Sequence, residues 1–467
     1  MTASRTGAVN LGLRSVDCPG AASRTFMSTL AHKLRPLDYF TLAFGAMVGV
    51  GWLVVMEDWL GRGGPLGAML GFAVAGAALV PVGYVYGRLV QVIPDAGSEI
   101  AYTDRAFRSR GLSFVAGWTM MLAYWIVCPW EAIAVGRIAA YLVPQLNSIE
   151  LFRVGGQPVY LPHLVLGLSL VGLIAFLNYR GIRTTATFQN WITFILLTLF
   201  VIFTACGFSR GTTANLQPLF SGAALVSVLR VIQIVPYFLT GFESVPKCAE
   251  EAAAELDPRQ FMRPILLALG VGVAFYVLVI AVVAYVRPWH SLLGQSFATA
   301  AAFEQAFRAR WIVGLIMAAA ITSLIKVFNG NFVAASRVLF ALGRQGLAAP
   351  RLGDVESRHR TPSLAIAGLG VGSAAALFLG PSILIPVTEV GSMASAVGWL
   401  LACAAYYRIE AHAGRRAVAL LGGLVALAMI LMKVLPFVPG HFTSRECFAL
   451  GLWAVLGIAI WRGRRPD

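Results

Sequence analysis

Apolar residues run through the chain in blocks of about twenty or more, parted by short polar stretches, the length a helix needs to cross a bilayer. Hydropathy predicts twelve such helices, near 37–60, 65–92, 112–143, 161–178, 185–207, 222–247, 263–286, 311–343, 364–380, 383–407, 415–435 and 446–462. Several exceed a perpendicular crossing, so tilt or cytoplasmic extension is expected. Two blocks are interrupted. Gly45, Gly49 and Gly51 fall in the middle of the first, each costing a helix interior roughly 1 kcal/mol relative to alanine. Pro236, Gly241 and Glu243 fall together in the sixth. Hydrocarbon cannot satisfy the backbone groups a break sets free, so a break survives only against protein or a wet cavity.

Alone, the first set of glycines reads equally well as close helix packing, because Gly45 and Gly49 have small-xxx-small spacing. The matching break in the sixth span changes that. Broken spans at corresponding positions of two five-helix halves point to a transporter site of inverted-repeat type. No letter-by-letter repeat relates the halves, so the symmetry rests on spacing. The expected organisation is a disordered cytoplasmic tail over 1–35, a first repeat over 36–207, a second over 222–410, and two further helices with a C-terminal tail over 411–467. Helices eleven and twelve carry little polarity and read as a scaffold or oligomer surface. The tail is basic and rich in Ser and Thr without an apolar core, unlike a cleaved signal peptide, and Met27 offers an alternative start.

Composition supports a polytopic all-α membrane protein: 58% of the 467 residues are hydrophobic and 12% charged, against roughly 45–50% and 25% in soluble domains. The net charge of +15 could suggest nucleic acid, but its placement excludes that reading. With the N-terminus inside, 25 Lys and Arg lie on the inner side and 9 on the outer, while Arg137 and Lys326 fall within spans. That is the positive-inside bias, and it places both termini in the cytoplasm. The six cysteines are scattered without a CxxC pair, so neither a metal site nor a disulfide framework is indicated. No cofactor is expected. All six histidines sit in loops or at helix ends, and no phosphate-binding Gly-x-x-x-x-Gly-Lys-Ser/Thr sequence occurs.

Ionisable residues inside spans are functional candidates by default. Glu131 in the third span, Glu243 at the second break and Lys326 in the eighth are read as coupling or gating groups. Glu131 reads as a proton carrier or a partner for a cationic cargo, and Glu243 either as a gate or as a cap for freed backbone. Lys326 either supplies the positive charge that helix five lacks or pairs with Glu131 or Glu389. Trp52, Tyr237 and Phe242, adjacent to the breaks, are candidates for an aromatic gate. Ala249-Glu250-Glu251 and the basic loop after helix two are expected to form cytoplasmic ion pairs.

In order along residues 36 to 410, the chain carries Gly45-Ala46-Met47-Val48-Gly49-Val50-Gly51-Trp52, Pro94-Asp95-Ala96-Gly97-Ser98 and Asn178-Tyr179-Arg180-Gly181. These are followed by Gly241-Phe242-Glu243-Ser244 with Ala249-Glu250-Glu251, then Ser336-Arg337, Gly346-Leu347 and Arg360-Thr361-Pro362. The set resembles the amino acid–polyamine–organocation (APC) permeases. The resemblance implies a LeuT-like fold: twelve transmembrane helices, five plus five as an inverted repeat with helices one and six broken, and two extra. It also implies an amino acid or related amine as cargo, moved by alternating access across the bacterial inner membrane. Carried over by position, the N–H groups around Gly49, Val50 and Gly51 would receive the cargo's carboxylate. Carbonyls of Met47, Tyr237 and Thr240 would receive its ammonium, with Gly241 in the second break and Asn331 facing the substrate. Half-helix ends favour such charges.

Two departures concern the driving force. Proton-coupled relatives often place a lysine in helix five, where residues 184–207 have none and the nearest matching positions are Ile195 and Leu196. Tyr86-Gly87-Arg88 stands where many relatives carry an acid. The expected function is a secondary transporter, proton-coupled or exchanging, with sodium left open and a monomer or homodimer as its state. A channel-like facilitator or substrate sensor is the alternative. An integral membrane enzyme is the weakest reading, because the spans hold no His away from their ends and no carboxylates paired at ligand spacing.

Overall fold

The computed structural model describes residues 30–254, 256–295 and 297–463, without the side chain of Arg310. The tail expected over 1–35 lies outside the described residues as far as residue 29, and Cys18 with it. Residues 30–35 are not a free tail. The N–H groups of Lys33 and Leu34 donate to the Glu251 carbonyl at 2.8 and 2.9 Å, and Ala253 N–H donates back to Leu34 at 3.0 Å.

Among the described residues, ten helical stretches are long and apolar enough to cross a membrane. The first span is α1 (Pro36–Met47) and α2 (Gly51–Val54), interrupted at Val48–Val50. It is followed by α3 (Met56–Val92), in which the chain turns at Gly64 (φ 66°) immediately before Pro65, within the expected outer turn. A short α4 (Glu99–Phe107) orders the loop that Pro94 and Gly97 marked as structured. The third span bends at Ile126 between α5 (Arg110–Trp125) and α6 (Val127–Leu142). Next come the antiparallel hairpin of β1 (Glu150–Val154) and β2 (Gln157–Tyr160), then α7 (Leu161–Tyr179) and α8 (Ile182–Arg210). Hydropathy gives no sign of the hairpin, whose strands lie outside the apolar blocks.

The sixth expected span is three pieces, α9 (Ala224–Ile232), α10 (Val235–Leu239) and α11 (Ser244–Lys247), none long enough to cross alone. After α12 (Met262–Val286), α13 (Ala298–Phe307) and α14 (Arg310–Arg344), the ninth and tenth expected spans form one helical stretch, Ser363–Ile409. Within it, α15 (Ser363–Ala376) and α16 (Leu384–Ile409) flank a 3₁₀ segment that turns at Gly380 (φ 62°) before Pro381. These two departures turn the expected twelve into ten continuous stretches. Helices α17 (Ala413–Val434) and α18 (Ser444–Gly463) complete the chain.

The broken helix occupies the centre. In the first span's apolar window 83% of residues are buried, against 11% in α18. Helix α1 packs on α8, α12 and α14, and α10 packs on α16. A broken helix needs neighbours on every side to satisfy its open backbone, and here it has them.

Candidate substrate site

The two breaks touch. Gly241 has φ 141°, a conformation that disfavours any side chain, and a Cβ there would lie 2.6 Å from Met47 Cγ and 2.7 Å from Met47 N. The C-terminal end of α1 therefore rests directly on the unwound backbone of the sixth span. Met47, Gly49, Val50, Gly51, Trp52, Glu131, Tyr237, Thr240, Gly241, Phe242, Glu243, Lys326 and Asn331 are all buried.

Side chains from two helices take up the carbonyls freed at the first break. Asn331 Nδ2 donates to Ala46 O at 2.8 Å, and Tyr276 OH to Met47 O at 2.9 Å. Ser323 Oγ donates to Val48 O at 3.1 Å and Gly49 O at 2.8 Å. Lys326 Nζ reaches Val48 O at 2.9 Å, Phe44 O at 3.3 Å and Gly45 O at 3.4 Å, and stands 4.6 Å from the Phe44 ring centre. The Lys326 amine thus sits on the negative end of α1. Glu389, considered as a partner for Lys326, belongs elsewhere: it bonds Lys433 of α17 and takes Arg62 at 2.9 Å. Arg62 in turn pairs with Asp58 at 2.8 Å. Helix eleven, read as featureless, contributes the buried Lys433 to this network.

On the other side of the break, the Val50 N–H points at Glu131 Oε1, 3.5 Å away. A Cβ at Gly49 would fall 2.5 Å from that same oxygen, so a glycine is what lets the carboxylate approach. The second oxygen of Glu131 has no partner, nor has the Tyr237 hydroxyl. Glu131 is within electrostatic reach of Tyr237, Tyr276 and Lys326.

The Met47 carbonyl, expected to receive a cargo ammonium, is already engaged by Tyr276. In the second break, Tyr237 N–H donates to Ser392 Oγ at 3.0 Å, and Thr240 Oγ1 bonds Pro236 O and Ser395. Glu243 Oε2 accepts from Gly241 N–H at 3.0 Å, the capping arrangement, and its side chain also faces Tyr124. Below it, Lys247 Nζ bonds Glu99 Oε1 at 2.5 Å and Glu243 O at 2.9 Å, and Tyr86 OH also donates to Glu99 Oε1 at 2.6 Å.

The three gate aromatics do not meet. Trp52 packs on Phe203 and Phe275, Tyr237 on Trp130 and Phe238, and Phe242 on Tyr86 and Trp399. Phe238, which sequence reasoning passed over, closes on Gly51 and joins Trp59, Phe72 and Tyr276.

Helix five meets the break through Gln189, not Ile195 or Leu196. Its Nε2 donates to Thr41 O at 3.3 Å and Lys326 O at 3.1 Å, and its Oε1 accepts from Asn329 at 2.8 Å. Ile195 faces outward, 49% exposed. Two signals pointed to the missed residues: Gln189-Asn190 is the polar pair in an apolar helix, and Ser323 lies three residues before Lys326, on the same face.

At the end expected to face the cytoplasm, Arg344 pairs with Glu250 at 2.6 Å and Asp95 at 3.1 Å, and Arg337 with the buried Glu251 at 2.7 Å. Arg344 is the hub; the arginines of the loop after helix two supply none of these pairs. Burial pushes the Asp95 carboxyl above its ordinary range despite Arg344. Burial also opposes ionisation of Glu250, but Arg344 and the Ala96 N–H outweigh it and hold that carboxyl below its ordinary range.

Residues 34–460 match the family described as amino acid permease. The branched-chain amino acid permease BcaP of Bacillus subtilis is 26% identical over 78% of this chain and 77% of its own length. The methylthioribose transporter of the same organism is 26% identical, over 72% of each chain. The lysine-specific permease LysP of Lactococcus lactis is 23% identical over 90% of this chain and 83% of its own.

Proposed function

This chain belongs to the amino acid permease family, and from that premise we propose that it is a secondary carrier moving an amino acid or related amine by alternating access around the two abutting breaks. The observation that carries the reading is the contact of Gly241 with Met47. It brings the C-terminal end of one half-helix and the unwound backbone of the other break into one buried place, where helix-end dipoles favour charge. The architecture is read as LeuT-like with twelve crossings. The ten continuous stretches, the three-piece segment 222–247, and the turn at Gly380 that divides Ser363–Ile409 support that count. The membrane is read as the bacterial inner membrane, with both termini cytoplasmic.

Lys326 stands on three carbonyl oxygens, the place a small metal cation would take, so transport runs without sodium. Glu131 stands at the Val50 N–H, the place read for the cargo's carboxylate. An arriving carboxylate must displace it, and a buried acid without its donor is held more cheaply as the neutral form. Cargo entry is therefore linked to proton uptake on Glu131.

Purified protein in liposomes, given labelled amino acids with imposed pH or sodium gradients, tests this. Saturable uptake driven by protons and indifferent to sodium is expected. Counterflow without gradient dependence would make it an exchanger, flux that does not saturate a channel-like facilitator, and binding without flux a sensor.

A further inference from the structure

At the end expected to face the cytoplasm, a cavity of about 750 Å³ opens between the α7–α8 link, the loop before α15 and residues 31–33. Lys33, Arg180, Arg183, Arg358 and His359 line it, and no carboxylate does. Among the described residues, none of the first four has an ion-pair partner. The nearest acid, Glu356, faces the His359 ring at 3.2 Å and takes the N–H groups of Arg358 and His359 at 2.8 Å each. Residues 1–29 carry a net positive charge, with Arg5, Arg14 and Arg24 against a single Asp17. The first turn of α8, a helix of 29 residues, opens on the cavity without a side-chain cap.

One wall of this cavity is aromatic and exposed. Trp191, 71% exposed, lines it, and Arg180 lies 5.5 Å from the ring centre of Phe176, itself 53% exposed on α7. An exposed tryptophan beside snorkelling arginines marks the headgroup level of a bilayer. Four uncompensated cations facing both water and lipid fit a phosphate that arrives tethered to acyl chains.

We propose that this cavity is a binding site for the phosphate headgroup of an anionic phospholipid of the cytoplasmic leaflet, a structural lipid distinct from the transported cargo. Basic pockets between transmembrane helices on that side hold such headgroups.

The test reconstitutes the protein in nanodiscs of mixed phosphatidylcholine and phosphatidylglycerol and reads co-released lipid by native mass spectrometry. The R180Q/R183Q/R358Q variant should retain about tenfold less phosphatidylglycerol. R105Q/R259Q/R351Q removes the same charge from exposed positions outside the cavity and should retain it as the unchanged protein does. Equal retention by the first variant, or equal loss in the second, overturns the site. Millimolar inorganic phosphate that strips the lipid would reveal a free-anion site and overturn the lipid reading. Should the first variant fail to fold, photoactivatable phosphatidylglycerol on the unchanged protein must label the peptides holding residues 180–191 and 358; labelling confined to other segments overturns it.

Discussion

Lys326 Nζ lies 2.9 Å from the carbonyl oxygen of Val48, across 278 residues of sequence. A charge that hydropathy would forbid at bilayer depth is thereby held on the open end of the helix that carries the first break. Replacing Lys326 with Met leaves the Gly45 carbonyl without that donor, while Phe44 O keeps the Val48 N–H and Val48 O keeps Ser323, and a buried unsatisfied acceptor costs about 1–3 kcal/mol. Uptake by K326M should fall more than about tenfold at every pH from roughly 5 to 8, with a lowered thermal midpoint. Normal transport across that range would remove Lys326 from the mechanism.

Glu131→Gln keeps an acceptor near Val50 N–H but no longer opposes an incoming carboxylate with a negative charge. Its apparent affinity for a carboxylate-bearing cargo at pH 8 should rise up to about tenfold, and proton-driven accumulation should collapse. Concentration-dependent uptake at two pH values reads both.

Gly241→Ala puts a Cβ 2.7 Å from a backbone nitrogen at a φ of 141°. Neither neighbour can step aside, because each is the end of a broken helix. The strain alone is of order 1–3 kcal/mol, so thermal unfolding should shift downward and transport should be lost together.

Asp95 and Glu250 share Arg344 yet titrate in opposite senses. Glu250, held below its ordinary value, contributes stability that is full above pH about 4.3 and lost as pH falls through its lowered folded value. Asp95, raised above its ordinary value, contributes stability present below about 3.9 and lost as pH rises through its folded value. At neutral pH, Glu250→Gln should therefore lower the thermal midpoint, while Asp95→Asn should leave it unchanged or raise it. Melting curves at pH 7 decide.

Glu389→Gln takes the ion-pair partner from Lys433, 1% exposed, whereas Lys433→Met leaves Glu389 still paired with Arg62. The first should cost more than the second, because only the first leaves a buried amine without its ion-pair partner. The double variant should recover most of the loss, as a double-mutant cycle on thermal stability would measure.

The sequence by itself determined that the chain spans a membrane many times and that two of its spans break. It also marked Glu131, Glu243 and Lys326 as ionisable groups at bilayer depth. These are local matters: apolar run length, glycine and proline in mid-span, and the cost of a charge in hydrocarbon. Tertiary structure decided what each group touches. Helices apolar on every side carry little periodic signal of their rotation, so the polar pair Gln189-Asn190 stood out in helix five without saying that Gln189 meets the Lys326 carbonyl. Nor could α12 announce that Tyr276 covers Met47, or α17 that Lys433 answers Glu389. The breaks were legible because they violate a local rule; their partners were not, because a buried donor is chosen by packing between helices far apart in sequence.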